Sequence, residues 1–286
     1  MATPMTPDGG VDEAGVRALA RHLVDTGHDG LVVNGTTGES ATLSEAESIE
    51  VVRLVVDEVG GQAAVVAGVG SNSTAHSLEM TERATAVGAD ALLLVSPYYN
   101  KPTQPGLIAH CTAVGDATEL PIMLYDIPGR TAVPFATETL LELAGHPRIV
   151  AVKDAKGDLA ASARVMAATD LLWYSGEDAL NLPLLAMGAV GVVSVVGHVT
   201  GREHAAMVAA VDRGDLDEAR EIQRRLVPVV DAIMGTSQGA IMAKAALVEL
   251  GVIEHATVRL PLVEGPPEHL EILRRGLAAA GLRVAA

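Results

Sequence analysis

The stretch Ile149-Val150-Ala151-Val152-Lys153-Asp154 decides the fold. Its four apolar residues in a row are typical of a parallel β-strand that is buried on both faces. Similar runs recur along the chain, and stretches with helical spacing separate them. Strands are therefore predicted at Leu31–Asn34, Ala64–Val69, Ala91–Ser96, Pro121–Ile127, Ile149–Asp154, Leu171–Ser175 and Val190–Val196.

Alternating strands and helices with short loops indicate right-handed βα units in a parallel sheet. An eighth strand is predicted at Met1–Met5, where the chain is barely long enough for one. Eight units close a barrel, whereas seven leave an open sheet. A doubly wound sheet is the alternative, but no G-x-G-x-x-G follows the first long strand. The predicted fold is α/β, a (β/α)8 TIM barrel with a short first strand.

The strand pattern stops after Gly201, and only helical stretches follow it. Glycine and proline breakers separate these stretches, so they are predicted to form a C-terminal helical appendage. The predicted domains are a barrel over residues 1–213 and a helical subdomain over residues 214–286. Helices are predicted at Asp12–Thr26, Ser44–Val59, Ser73–Val87, Phe135–Ala144, Leu159–Ala168, Asp215–Met234, Gln238–Leu250 and Pro267–Ala280.

Composition excludes several classes of protein. The formal net charge is −16, so a nucleic-acid phosphate backbone or an anionic membrane surface is a poor partner. No apolar run is long enough to span a bilayer, and no signal-peptide pattern opens the chain. Cys111, the only cysteine, is expected to pack on a helix, and a reducing, cytoplasmic setting is expected. The histidines show no metal-ligand spacing, so no metal site is predicted.

Polar residues at the ends of the predicted strands are the candidates for chemistry, because barrel active sites lie there. Lys153 ends an apolar strand, and burial would lower its pKa enough to provide the free amine that Schiff-base chemistry needs. A lysine that reaches solvent or pairs with Asp154 is the alternative. Tyr125 ends the preceding strand and could shuttle protons, although it could also be a capping tyrosine. Tyr98 and Tyr99 end an earlier strand.

Two further segments could bind carboxylate groups. Thr36 and Thr37 lie in a glycine-bounded loop whose amides and hydroxyls could hold an anion, although the loop could equally be a helix entry with Ser44 as its N-cap. Arg130 follows Tyr125 in a Pro-Gly-Arg turn, and arginine grips carboxylates in a two-pronged geometry. An ordinary surface arginine is the alternative.

Five motifs in order along the chain resemble the dihydrodipicolinate synthase/N-acetylneuraminate lyase family. The resemblance runs nearly from end to end and implies a (β/α)8 barrel with a lysine nucleophile. The motifs are Gly35-Thr36-Thr37-Gly38-Glu39-Ser40, Pro97-Tyr98-Tyr99-Asn100-Lys101-Pro102, Tyr125-Asp126-Ile127-Pro128-Gly129-Arg130-Thr131, Val152-Lys153-Asp154 and Gly191-Val192-Val193-Ser194-Val195.

The resemblance implies that pyruvate condenses with L-aspartate 4-semialdehyde to give 4-hydroxy-tetrahydrodipicolinate, on the route to diaminopimelate and lysine. Lys153 would form the imine, and Tyr125, Thr36 and Tyr99 would move protons, with Tyr99 reaching in from a neighbouring subunit. No metal or organic cofactor is implied, and a homotetramer built as a dimer of dimers is expected. The residues expected to bind substrate are Thr37 and Val193 for the pyruvate carboxylate, Arg130 for the carboxylate of the semialdehyde, and Gly176.

Arg130 favours the semialdehyde as second substrate, since neuraminate lyases, whose aldehyde partner is a sugar, usually lack an arginine there. A class I aldolase or dehydratase for 2-keto-3-deoxy sugar acids is the alternative function. Relatives also carry several more residues before Thr3-Pro4, where the first strand would begin. The lysine feedback site of some members is matched at Asn72 and Tyr98 but replaced at three other positions, so inhibition by lysine is not expected. Those positions are Glu45, Ser48 and His76.

Overall fold

The computed structural model describes residues 1–282, and in this range a sheet of seven strands runs in chain order. From β2 onward each strand pairs in parallel with the next, as a sheet of right-handed βα units requires. All seven strands predicted from the apolar runs are confirmed. They are β1 (Gly30–Val33), β2 (Ala64–Gly68), β3 (Ala91–Val95), β4 (Ile122–Asp126), β5 (Ile149–Asp154), β6 (Leu172–Ser175) and β7 (Gly191–Val192).

Several helices begin at a side chain that accepts a hydrogen bond from their first turn. Asp12 accepts a hydrogen bond from the Gly15 amide, and Ser44, the candidate N-cap of the sequence analysis, forms a capping box with Glu47. The helices are α1 (Glu13–Asp25), α2 (Glu45–Val59), α3 (Thr74–Ala86), α4 (Gln104–Asp116), α5 (Pro128–Thr131), α6 (Thr137–Leu143), α7 (Leu159–Ala168), α8 (Asn181–Met187), α9 (Gly197–Asp212), α10 (Leu216–Met234), α11 (Gly239–Glu249) and α12 (Pro267–Ala279).

The strand predicted at Met1–Met5 is wrong. Within the described residues, Met5 makes only an isolated antiparallel bridge to Val11. The amino group of Met1 donates a hydrogen bond to the carbonyl oxygen of Val32 at 2.6 Å, so the segment begins beside β1. A strand needs several successive backbone pairs with a neighbour, and in this segment only Met5 forms such a pair.

The seventh strand is much shorter than the predicted Val190–Val196. Its ladder ends at Val192, although the Val193 amide still donates to the Ser175 carbonyl at 2.7 Å. Beyond Val193 the chain turns into α9, and the His198 amide donates to the Val195 carbonyl. The apolar run therefore serves a strand and a helix entry together, and apolar character alone does not separate the two.

The chain divides into two compact units, Met1–Val65 with Ser194–Ala286 and Val66–Val193. In the first unit, α10 and α12 pack so closely that a Cβ added at Gly276 would lie 2.7 Å from the Pro228 carbonyl oxygen. The expected C-terminal helices are thus present. The predicted domain boundary after residue 213 stays a prediction, and residues 283–286 of that domain lie outside the described residues.

Within residues 1–282, no single helix is both long and apolar enough to cross a membrane. One pair of helices, α10 and α11, passes the length and composition test only when the two are taken together, and the pair is bent by 115°.

Candidate active site

Lys153 and Tyr125 lie side by side at the carboxyl ends of neighbouring strands. The register of β4 and β5 pairs Tyr125 with Lys153, so both side chains leave the same face of the sheet. The Lys153 Nζ lies 4.2 Å from the centroid of the Tyr125 ring. Both side chains are buried, with 9% and 6% of their surfaces exposed. The two residues that the sequence placed at adjacent strand ends therefore meet directly.

The next residue on each strand points to the opposite face. Asp126 and Asp154 are also paired in the register of β4 and β5. The Asp154 carboxylate accepts hydrogen bonds from Ser162 Oγ at 2.5 Å and from Trp173 Nε1 at 3.0 Å. Asp154 is thus held by α7 and β6 rather than by Lys153, because side chains alternate between faces along a strand.

Burial changes the ionisation of Lys153. Removal of the ammonium from water lowers its pKa from 10.5 to about 8. The negative charge of Asp178 acts in the opposite direction and limits this shift, whereas the positive charge of Arg130 adds to it. A substantial fraction of Lys153 is therefore an uncharged amine near neutral pH, which nucleophilic attack on a carbonyl requires.

Tyr125 is shifted in the other direction. Burial raises the pKa of its phenol to about 12; the charge of Arg130 opposes this rise, and that of Glu177 adds to it. The hydroxyl therefore keeps its proton at neutral pH and can donate it to a developing oxyanion. To act as a base as well, Tyr125 would need a partner that takes up and returns the proton.

Gly176, directly after β6, makes room for the lysine side chain. A Cβ at this position would lie 2.8 Å from Lys153 Cγ and 3.0 Å from its Cε. The Gly176 amide also donates to the Asp154 carbonyl at 2.7 Å, which fixes its backbone. The missing side chain of Gly176 therefore leaves the space that the Lys153 side chain occupies. Binding of substrate by Gly176 stays a prediction.

The other predicted residues of this unit lie at nearby strand ends. Arg130 is exposed on the short helix α5, and its charge acts on both Lys153 and Tyr125. Tyr99 is 88% exposed and has a φ of 72°, a left-handed backbone conformation that is uncommon for a residue other than glycine. Val193 continues the end of β7 through its hydrogen bond to Ser175.

Thr36 and Thr37 belong to the other compact unit. They form a single 3-10 turn with Gly38 directly after β1, and both side chains are half-buried. Residues with left-handed backbones bracket this turn, Asn34 before it with φ 58° and Glu39 after it with φ 57°. The two threonines therefore lie in a short turn, within the glycine-bounded loop predicted at this position.

A second cluster of charges lies on the helix side of the sheet. Burial raises the pKa of Asp126 to about 7, against the opposing effects of Lys156 and of the Phe135 amide, and the charge of Asp154 adds to the rise. The Lys156 Nζ lies 4.0 Å from Asp126 Oδ2 and donates to the Phe135 carbonyl at 3.0 Å. This cluster fixes the carboxyl ends of β4 and β5 directly behind Tyr125 and Lys153.

Sequence reasoning gave no role to several of these charged residues. Glu177 and Asp178 follow the end of β6, and their charges act on Tyr125 and Lys153 respectively. Lys244 lies in the helix predicted at Gln238–Leu250 and is the one charged side chain in the run Gly239–Val248. A lone charge in an apolar helix is the signal that could have singled it out.

A buried lysine with a lowered pKa, beside a buried phenol at the carboxyl ends of parallel strands, is typical of barrel enzymes that form imines with carbonyl compounds. Comparison with known proteins agrees. The sequence model of the dihydrodipicolinate synthetase family matches residues 1–280. The chain belongs to this family.

The similarity extends over nearly the full length of individual relatives. The 4-hydroxy-tetrahydrodipicolinate synthase of Kineococcus radiotolerans is 56% identical, over 99% of this chain and 92% of that protein. The 4-hydroxy-tetrahydrodipicolinate synthase 2 of Streptomyces coelicolor is 55% identical, over 99% and 94%. A crystal structure of DHDPS from Cyanidioschyzon merolae with lysine bound is 44% identical, with a TM-score of 0.96 over 99% of this chain and 96% of that one. The fold is therefore the TIM barrel of this family with its C-terminal helices.

Proposed function

We propose that this enzyme condenses pyruvate with L-aspartate 4-semialdehyde to give 4-hydroxy-tetrahydrodipicolinate, a step of lysine and diaminopimelate biosynthesis. The observation that carries the proposal is the pair of Lys153 and Tyr125, with Nζ 4.2 Å from the ring centroid and a lysine pKa lowered to about 8. Two relatives that are more than 50% identical to this chain are named after the product, 4-hydroxy-tetrahydrodipicolinate, and their names support this choice of substrates.

The chemistry begins with attack of the uncharged Lys153 amine on the keto carbon of pyruvate. Loss of one water gives an imine, and loss of a methyl proton turns the imine into an enamine. The enamine carbon bonds to the aldehyde carbon of the semialdehyde, whose oxygen takes up a proton. The amino group of the second substrate then attacks the imine carbon, closes the ring and releases Lys153, so that one water leaves overall.

The protons of these steps would pass through Tyr125. Its raised pKa keeps the phenol protonated between steps, so it can donate to the oxygen that leaves pyruvate. Thr36 and Tyr99 are proposed to return the proton to it, and Thr37 with the Val193 backbone to bind the pyruvate carboxylate. Arg130, exposed on its short helix, is proposed to bind the carboxylate of the semialdehyde.

A homotetramer, as a dimer of dimers, is part of the proposal. Tyr99 is 88% exposed in the single chain, and its left-handed backbone is a strained conformation that projects an aromatic side chain into solvent. Insertion of this ring into the site of a neighbouring subunit would explain both features. We also expect the enzyme to act in the cytoplasm.

Reductive trapping tests the covalent step. Borohydride added with pyruvate should raise the mass of the protein by about 72 Da, the increment for a reduced pyruvate imine. Lys153→Arg should abolish the adduct, because a guanidinium does not form the imine, whereas Lys101→Arg on an exposed loop should leave it unchanged. An unmodified mass in the native protein, or an adduct that persists in Lys153→Arg, would refute the assignment.

A substrate panel tests the second substrate. The coupled assay with pyruvate and L-aspartate 4-semialdehyde should show turnover, and Arg130→Met should raise the KM for the semialdehyde far more than that for pyruvate. Cleavage of 2-keto-3-deoxygluconate without activity toward the semialdehyde would establish the alternative aldolase instead.

A further inference from the structure

The turn that carries Thr36 and Thr37 is held in a strained conformation at its end. Glu39 caps the turn with φ 57° and ψ 35°, and its amide donates to the Thr36 carbonyl at 3.1 Å. Glu39 has a side chain that disfavours this left-handed backbone, so surrounding contacts must hold it there.

A buried ion pair between Glu39 and the C-terminal helix α11 keeps Glu39 in this conformation. The Lys244 Nζ on α11 lies 2.5 Å from Glu39 Oε1, and at most 1% of either side chain is exposed. The same ammonium donates to the Thr257 carbonyl at 2.6 Å, and the Arg259 amide donates to Glu39 Oε2 at 2.9 Å. Both carboxylate oxygens of Glu39 are thus fixed by residues more than 200 positions away in the sequence.

The side chain of Arg259 extends this anchor to the next helix. Its guanidinium donates to the Thr42 carbonyl at 2.8 Å and to both carboxylate oxygens of Glu47, the capping-box partner of Ser44 in α2. Its Nε donates to the Gly9 carbonyl at 2.8 Å. The chain from Glu39 to Glu47 is therefore clamped at both ends by the segment after α11.

An apolar pair of the same size could fill this space without the cost of removing two charges from water. What an apolar pair lacks is direction, because hydrogen-bonded charges fix the orientation of the groups that they join. We infer that Lys244 and Glu39 are positioning residues that set the Thr36–Thr37 turn for binding of the keto-acid carboxylate. This inference rests on the proposed function, in which that turn binds pyruvate.

The test separates this positioning from stability. Lys244→Met leaves the Glu39 charge buried and unpaired, so this variant is expected to be less stable. The double variant Lys244→Met with Glu39→Gln removes both charges and should recover most of the melting temperature, since no unpaired charge remains. Its KM for pyruvate should nevertheless stay raised by about 10- to 100-fold, because a misplaced binding group loses activity on this scale. Its KM for the semialdehyde should stay within about threefold of the native value.

Arg274→Met provides the matched control. It removes a partly exposed ion pair between α12 and Glu249 at the end of α11, so neither KM should change. A double variant with native stability and a native KM for pyruvate would overturn the inference, as would an equal rise in both KM values. Trapping of the pyruvate imine in the native protein is measured first, and its absence would refute the proposed function rather than the role of Lys244.

Discussion

Lowering the pH from about 9 to about 6 should slow imine formation at Lys153 by about a hundredfold, because only the uncharged amine attacks pyruvate and its pKa is about 8. At pH 7 about one tenth of the side chain would be uncharged, against about 0.03% for a lysine with the ordinary pKa of 10.5. Burial therefore raises the reactive fraction by about 300-fold, equivalent to about 3 kcal/mol.

The measurement is the rate of imine formation in a single turnover, quenched with borohydride at intervals and read by mass spectrometry. The rate should rise about tenfold per pH unit below 8 and level off above it. The pH at which this rate reaches half of its maximum is the midpoint, and two variants should move it in opposite directions. Asp178→Asn removes a charge that favours the ammonium and should lower the midpoint, whereas Arg130→Met removes a charge that disfavours it and should raise it. A midpoint at or above about 10, or shifts of both variants in the same direction, would refute this account of Lys153.

Three further predictions follow from single features. Gly176→Ala should abolish or strongly slow adduct formation while the far-ultraviolet circular dichroism stays native, because the new methyl group would meet the Lys153 side chain at 2.8 Å; a native trapping rate would contradict this contact. Asp126→Asn should stabilise the protein at pH 8 but not at pH 4, by at most about 4 kcal/mol. In the folded state the raised pKa lets Asp126 keep its proton up to about pH 7, whereas in the unfolded state Asp126 loses the proton near pH 3.8. The free energy of unfolding of the native protein therefore falls as the pH rises between these two values. Denaturant titrations at both pH values measure the difference, and equal effects would count against it. Lysine at millimolar concentration should leave the coupled assay unchanged, since Glu45, Ser48 and His76 occupy the altered positions; clear inhibition would show that lysine binds despite these replacements.

Much of the fold could be predicted because its signals are local. The strand at Ala91–Val95 is an uninterrupted apolar run, and that at Ile149–Asp154 is apolar up to Val152. A run of this kind favours a strand that is covered on both faces. Ser44 and Glu47 form their capping box within four residues. The strand expected at Met1–Met5 is missing because pairing depends on a neighbour that the local pattern does not specify.

The part of the site that could be predicted is the part formed by residues at the carboxyl ends of strands. The carboxyl ends of parallel strands meet at one edge of a sheet, so Tyr125 and Lys153 could be placed together before the structure was known. Their register, their common face and the distance of 4.2 Å are properties of the paired strands. The same holds for Gly176, whose relation to Lys153 is steric and cannot be read from either residue alone.

The sequence by itself determined the order of the elements, the helix caps and the identity of the reactive groups, because these depend on residues within a few positions of one another. Only the tertiary structure decided how those groups ionise. The lowered pKa of Lys153 and the raised pKa of Tyr125 come from removal of water by packed neighbours. It also decided that Lys244 meets Glu39, an ion pair that joins distant segments only because folding places both charges in one buried space.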